Sequence, residues 1–316
     1  MNFEIINYNE NFKNEWEQFV NESINGTIYH TRKFLSYHEN KFEDSSILIY
    51  NDKKLVCILP CCKDNSKYFS HKGATFGGPI FIEEVYNVTD VNTIINLIIK
   101  HYNNNIEFRL SNNIYNNLSH DLIIYCLSNK LKLKPELGFF INSNDNLIEK
   151  ITNIRNKKNL IKFMNNKNII CDIYKEKNDY INFYNILNNN LSNKYKTNPT
   201  HTLEEFLLMS EILKNEHSLY LVKENDVIYG GVYLIKTSNR CWYTFYISKN
   251  IDIKKNPSII YIMYKIQQDA KEQNVKYIDY GITTEEKGKV LNIGLAEFKE
   301  FSLSGNPTLR YLFLLN

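Results

Sequence analysis

Along the chain, stretches where every second residue is apolar give way to stretches where apolar residues return every three to four positions. Residues 3–8 alternate and predict a strand. Asn11 to Glu22 puts Phe12, Trp16, Phe19 and Val20 on one helical face. After the turn Asn25-Gly26-Thr27, Thr31 is an N-cap for a helix running to about Phe42. Strands at 46–50 and 54–60 flank the turn Asn51-Asp52-Lys53, a hairpin signature. A helix near 89–102, a strand at 106–110, a helix near 115–129 and a strand near 137–142 follow. The next elements are a helix over 145–164, a strand at 168–174 and a helix at 178–192. Thr202 with Glu205 forms a capping box that opens another helix. Leu219 to Leu234 is a second hairpin, turning at Glu224-Asn225-Asp226. A strand at 241–248 precedes a helix with Asn256 as N-cap and Pro257 at its first position. A strand at 275–280, a helix-like segment carrying Lys299 and a strand at 308–315 complete the chain.

Both hairpins have an apolar strand, a polar Asn-Asp turn and an apolar strand. Helices precede each, and a further strand, a helix and a strand follow. This repeat of element order suggests two copies of one module. The expectation is an α/β (α+β) protein of two modules, residues 1–143 and 144–316, each a mixed central sheet flanked by helices.

Composition narrows the function. With 316 residues, 43% of them hydrophobic, the chain can bury a sizeable core. A net charge of +3 gives no strong bias toward polyanions, so DNA is not an expected partner. No basic-then-apolar leader opens the sequence and no stretch approaches about 18 uninterrupted apolar residues, so a cytoplasmic protein without a membrane span is expected. Cys57, Cys61 and Cys62 cluster around Pro60 in an apolar strand, without the paired spacing of a metal site, and no metal is expected.

Candidate chemistry concentrates in the last quarter. Tyr277-Ile278-Asp279-Tyr280-Gly281-Ile282-Thr283-Thr284 is a short apolar run that ends in an acid and a glycine. Asp is depleted inside strands, so Asp279 reads either as a turn cap or as a functional acid delivered to a sheet end. His201, just ahead of a helix start, is a loop histidine or a group for proton handling. Ser70 to Pro79 carries Gly73, Gly77 and Gly78 but matches no phosphate-binding fingerprint; it is a kinked turn or a close approach to a ligand. The helix at 145–164 carries Lys150, Arg155, Lys157, Lys158 and Lys162, either a solvated face or a partner for phosphate.

Four stretches together resemble the tandem acyltransferases of the GNAT superfamily, in the branch of the FemABX peptidoglycan-bridge enzymes and related polysaccharide-cluster proteins. They are Trp16 through Gly26-Thr27-Ile28-Tyr29-His30-Thr31; Leu55 to Pro60 with Lys72 to Pro79; His201 to Phe206 with the second hairpin; and Tyr277 to Thr284 continued by Leu291 to Glu300. The resemblance implies transfer of an acyl group to an amine at a gap between strands 241–248 and 275–280. It implies Asp279 and His201 for proton handling or amine orientation. Lys299 would contact a phosphate or polarise the carbonyl. His30, Lys72, Thr75, Arg155, Lys158, Thr202, Tyr246, Gly281 and Thr283 would bind substrate. The implied acceptor is an amino sugar, nucleotide-linked, or another glycan precursor. The implied donor is acyl-CoA as a co-substrate, with no permanently bound cofactor, and aminoacyl-tRNA is the alternative. One departure stands out. Where the superfamily has a glycine-bearing pyrophosphate loop, this chain has Asp252-Ile253-Lys254-Lys255-Asn256-Pro257-Ser258. Lys254, Lys255, Asn256, Ser258 and the helix start would have to hold the phosphates instead.

Overall fold

Hydrophobic spacing becomes structure most directly at Val88–His101, where Val91, Ile94, Ile95, Ile98 and Ile99 are all buried on one face. The side chain of Asn87 caps that helix by accepting from the Asp90 N–H at 3.1 Å. The computed structural model describes residues 2–38, 41–151 and 154–315. In chain order the first elements are β1 (Phe3–Asn7), α1 (Lys13–Glu22), α2 (Arg32–Leu35), β2 (Glu43–Asp44), β3 (Ile47–Asn51), β4 (Lys54–Leu59), β5 (Cys62–Asp64), β6 (Lys67–Phe69) and β7 (Ile80–Phe81). Then come α3 (Val88–His101), β8 (Ile106–Leu110), α4 (Asp121–Ser128), β9 (Lys132–Asn142), α5 (Leu147–Lys150), α6 (Ile154–Met164), β10 (Ile169–Tyr174) and α7 (Lys177–Tyr195). The remainder is α8 (Leu203–Ile212), β11 (His217–Glu224), β12 (Val227–Ile235), β13 (Cys241–Lys249), α9 (Ser258–Glu272), β14 (Tyr277–Ile282), β15 (Thr284–Glu285), β16 (Val290–Leu291), α10 (Ile293–Glu297) and β17 (Asn306–Leu314).

The chain divides into two compact units. The first comprises the residues up to Leu137, Thr284–Leu291 and the residues from Thr308 onward. Its strands form one set ordered β1-β3-β4-β7 and a second ordered β17-β8-β6-β5-β2. Trp16, Phe19, Ile58, Phe81, Ile95 and Phe108 belong to its core. The buried thiols of Cys57, Cys61 and Cys62 behave as small apolar groups, with burial pushing each above the usual thiol range. Among the described residues no metal-ligating cluster occurs. The glycine-rich stretch packs backbone on backbone. Gly77 donates to the Arg109 carbonyl at 2.8 Å, and a Cβ on Gly77 would lie 1.8 Å from the Ser70 carbonyl oxygen.

The second unit, Gly138–Thr283 with Asn292–Pro307, orders its strands β10-β11-β12-β13-β14-β9. β10 to β13 are antiparallel neighbours, β13 and β14 are parallel, and β14 is antiparallel to β9. Phe183, Phe206, Met209, Ile262 and Ile266 are fully buried in this unit.

Both expected hairpins form, with Asp52 at φ 55° and Asn225 at φ 52° in two-residue turns, where Asn and Asp tolerate the left-handed region. The capping box at Thr202 is present. Three helices differ from their sequence patterns. The helix from Thr31 is short, and residues 39–40 of the expected span lie outside the described residues. The helix expected over 115–129 starts at Asp121, because Asn113 and Ser119 side chains accept from the His120 and Asp121 N–H groups and satisfy the backbone locally. The helix expected over 145–164 is two, α5 and α6, with Ile151 extended and buried after the first; residues 152–153 lie outside the described residues. Among the described residues no helix is long and apolar enough to cross a membrane.

Candidate functional site

The second unit's sheet comes apart at one place. β13 and β14 pair only through Cys241–Tyr277, Trp242–Ile278 and Tyr243–Asp279. Beyond Tyr243, β13 continues to Lys249 with ladder pairing only to β12 among the described residues. At the point of parting, the Thr244 hydroxyl donates to the Asp279 carbonyl at 3.1 Å. A parallel pair that parts this way leaves main-chain groups facing a wedge, which is what a ligand with an amide-like backbone can use.

β14 is shaped by Asp279. Its carboxylate accepts from the Gly281 N–H at 2.7 Å, an Asx-type turn. The register with β9 shifts here, from Asp279–Phe140 to Ile282–Gly138, so one extra residue is accommodated as a bulge. Gly281 sits at φ 74°, a conformation that glycine adopts without strain. The turn-cap reading of Asp279 therefore holds, at the lip of the gap.

Lys299 closes the same corner. It lies in a π-helical turn, Phe298–Ser302, and is 5% exposed. Its ammonium donates to the carbonyls of Gly281 at 3.1 Å and Ile282 at 2.9 Å. The Lys299 carbonyl accepts from the Gly305 N–H, and the Tyr280 hydroxyl donates to the Leu303 carbonyl at 3.1 Å. The Lys299 Nζ is thus fixed at the end of β14 by two carbonyl acceptors.

The opposite wall is aromatic. β13 bulges at Phe245, where its register with β12 shifts, and both Phe245 and Tyr246 meet the His201 ring, with centroids 5.6 and 6.0 Å apart. His201 Nδ1 is 2.7 Å from the Tyr246 hydroxyl, and the Tyr184 hydroxyl donates to the His201 carbonyl. Thr200 and the His201 backbone N–H also hydrogen-bond the Tyr246 phenol, whose pKa burial pushes up to about 12. The phenol therefore stays protonated at neutral pH, 2.7 Å from the His201 Nδ1. Tyr243 links the two walls. Its ring touches Phe245 at 6.1 Å, and its hydroxyl lies 2.9 Å from where a Cβ on Gly281 would be.

The remaining candidates sit as follows. Thr202 uses its hydroxyl in the capping box. Thr283 is buried and its carbonyl accepts from Asn292. Arg155 and Lys158 are exposed on α6. Lys254 and Lys255 are exposed before α9. Asn256 accepts from the Ser258 N–H at 3.0 Å and donates to the Tyr229 carbonyl, which Ser258 Oγ also bonds at 3.2 Å. α9 begins one residue later than the sequence suggests, with Pro257 at the cap position. A cavity of about 310 Å³ beside this turn is lined by Asn185, Ile186, Asn189, Asn250, Ile251 and Asp252. His30, Lys72 and Thr75 belong to the first unit. His30 is buried, its Nδ1 capping the Thr27 N–H at 3.2 Å, and burial holds its pKa down near 3. Lys72 pairs with Asp64, and the Thr75 carbonyl accepts from Arg310, which pairs with buried Glu136.

The sequence singled out Asp279, His201, Lys299, Tyr246 and Gly281; hydrogen bonds join Asp279, Gly281 and Lys299 at the end of β14, and separately join His201 to Tyr246 on β13. It missed Tyr243, Phe245, Thr244 and Tyr184. The aromatic run Trp242-Tyr243, Phe245-Tyr246 on the strand before the gap was the available signal.

No protein-family model and no curated protein matches this chain at the level of sequence. Solved structures do match its fold. FemX superimposes with a TM-score of 0.71 at 11% identity, over 99% of this chain and 97% of that one. The C-terminal domain of a putative lysylphosphatidylglycerol synthetase from Agrobacterium fabrum gives 0.60 at 9% identity, over 98% and 93%. A tandem GNAT protein from the clavulanic acid biosynthesis pathway gives 0.52 at 7% identity, over 99% and 97%. The fold is that of the GNAT superfamily, in its two-module form. The likeness to FemX extends along nearly the whole of both chains.

Proposed function

We propose that this protein transfers an aminoacyl group from aminoacyl-tRNA to a primary amine on a nucleotide-linked cell-envelope precursor. The observation that carries the reading is the parting of β13 and β14, with the buried Lys299 ammonium at one lip. The amine nitrogen attacks the ester carbonyl carbon, a C–N bond forms and the carbonyl electron pair moves onto oxygen. Collapse breaks the C–O bond; the 3′-oxygen of the tRNA leaves and takes up the proton lost by the amine. Backbone N–H groups of β13 and the Lys299 charge stabilise the oxyanion. The His201–Tyr246 pair handles the proton. Exposed Arg155 and Lys158 suit a phosphate-bearing acceptor.

The start of α9 favours a tRNA ester over the acyl-CoA donor that the resemblance puts first. Pro257 has no N–H, the Ser258 N–H is taken by Asn256, and the Ser258 hydroxyl is turned to Tyr229. The adjacent cavity carries the Asp252 carboxylate and no cationic side chain among its lining residues, which disfavours a pyrophosphate there.

The test incubates the purified protein with tRNA charged with labelled glycine or alanine and a panel of UDP-linked amino sugars and muropeptides, beside parallel reactions with labelled acetyl-CoA. Labelled amide whose formation is abolished by ribonuclease is the expected result. Transfer from acetyl-CoA that ribonuclease leaves intact overturns the tRNA donor. No transfer from either donor overturns the transferase reading in favour of a binding protein.

A further inference from the structure

We infer that the first unit binds a small amphipathic anion, a carboxylate or phosphate head on an aliphatic body, at the ends of α3 and α4. The inference goes beyond the acyl-transfer reading, because every residue it uses belongs to the first unit and the β13–β14 gap belongs to the second. A cavity of about 500 Å³ opens there, a size that suits a small organic molecule. Its floor is apolar. Ile99 and Leu131 are buried in the core of the unit, and half-buried Leu315, just past β17, packs against that core. Its rim is polar and cationic. Asn96 and Lys100 stand beside Ile99 on one face of α3. Asn104 lies in the turn after that helix, and Lys130 in the turn after α4.

Charge decides what the cavity takes. The stretches that supply its lining, residues 96–104, 126–131 and 311–315, contain no Asp or Glu. Helix C-termini attract cations, and α3 and α4 both end here. Their last carbonyls are already met by backbone. Tyr102, Asn103 and Asn104 donate to the Ile98, Lys100 and Ile99 carbonyls, and Lys130 and Leu131 both donate to Leu127. Each helix end carries roughly half a negative charge, against a full positive charge on each lysine, so the rim keeps a net positive charge of about one. An anion is favoured there, and the amides of Asn96 and Asn104 are donors for its oxygens. A bare anion leaves the apolar floor in water, and a neutral aliphatic molecule makes no use of the lysines. A molecule with a charged head and an aliphatic body uses both.

The test is isothermal titration of the full chain with hexanoate, octanoate, octyl phosphate, 1-octanol and inorganic phosphate, each below its micellar concentration. One buried methylene tightens binding roughly fourfold. Octanoate is expected to bind one to one and about 10-fold more tightly than hexanoate, and octyl phosphate at least about 10-fold more tightly than inorganic phosphate. Lys100→Gln and Lys130→Gln, both at exposed positions, are each expected to weaken octanoate by roughly 2–5-fold and to leave octanol unchanged. Leu315→Ser is expected to weaken octanoate and octyl phosphate and to leave inorganic phosphate unchanged. Urea midpoints confirm that each variant folds. The tighter of octanoate and octyl phosphate identifies the head, and either supports the inference. Octanol that binds as tightly as octanoate overturns it, as does inorganic phosphate that binds as tightly as octyl phosphate. Octanoate affinity unchanged in the folded Lys100→Gln, Lys130→Gln double variant places binding elsewhere on the chain and overturns it too. So does the absence of binding by both amphipathic anions. None of these outcomes depends on the donor used for acyl transfer, so this inference and that reading stand or fall separately.

Discussion

Gly281 and Lys299 carry the two predictions that belong to single residues. Gly281→Ala places a non-glycine residue at φ 74° and drives its methyl into the Tyr243 hydroxyl. The backbone strain alone costs on the order of 1–2 kcal/mol. The urea midpoint should fall accordingly with the slope unchanged, and transfer should fall further because the ring at the gap is displaced. Lys299→Met keeps the length of the side chain and removes the donors to the Gly281 and Ile282 carbonyls. Leaving buried acceptors unsatisfied costs about 1–3 kcal/mol. If the ammonium also stabilises the oxyanion, turnover drops by on the order of 10²-fold or more at saturating substrate. A variant that loses stability alone, with turnover intact, would confine Lys299 to holding β14. Residue identity was legible here where the chemistry is local. An acid two residues before a glycine at a strand end was readable as a turn cap. The partner of His201 was not, because Tyr246 lies 45 positions away and only the sheet brings them together.

At the scale of elements, two-residue hairpin turns and the capping box were written in the sequence, since each depends on a few adjacent side chains. The bulges were not. The one in β14 exists only against β9, and the one at Phe245 only against β12, so register with a distant strand decides which side chains face the gap. The division of the helix expected over 145–164 was equally hidden. Neither glycine nor proline marks it, and burial of Ile151 in extended backbone outweighs a helical pattern. The parting of β13 from β14 was anticipated from resemblance alone. Composition has no means of showing where a parallel ladder stops.

At the scale of the whole molecule, burial of two histidines in the first unit predicts a loss of stability in acid. Burial holds His30 near 3 and His120 near 4, against about 6.5 in an unfolded chain. Each folded-state value is depressed, so the unfolded state binds more protons once pH falls below about 6.5. The stability these neutral histidines contribute is present above that pH and is lost as pH falls toward 4 and then 3. Each can contribute up to about 1.4 kcal/mol per pH unit across its window. Urea midpoints taken at pH 7, 5.5 and 4.5 should decline steeply for wild type. The decline should be shallower for His30→Gln and for His120→Gln, and an identical decline in both variants would place the acid sensitivity elsewhere.

The first unit is assembled from three separate lengths of chain. β8 has its antiparallel neighbour in β17, near the end of the sequence, and the Glu107 carboxylate on β8 meets Lys287 from the ribbon that follows β14. A ribosome finishes the first 137 residues long before it makes either of those pieces. During synthesis the edge of β8 therefore waits, unpaired, through the whole length of the second unit. The unit begun by the residues before Leu137 is therefore finished only by residues from Thr308 onward, which are translated after the whole of the second unit.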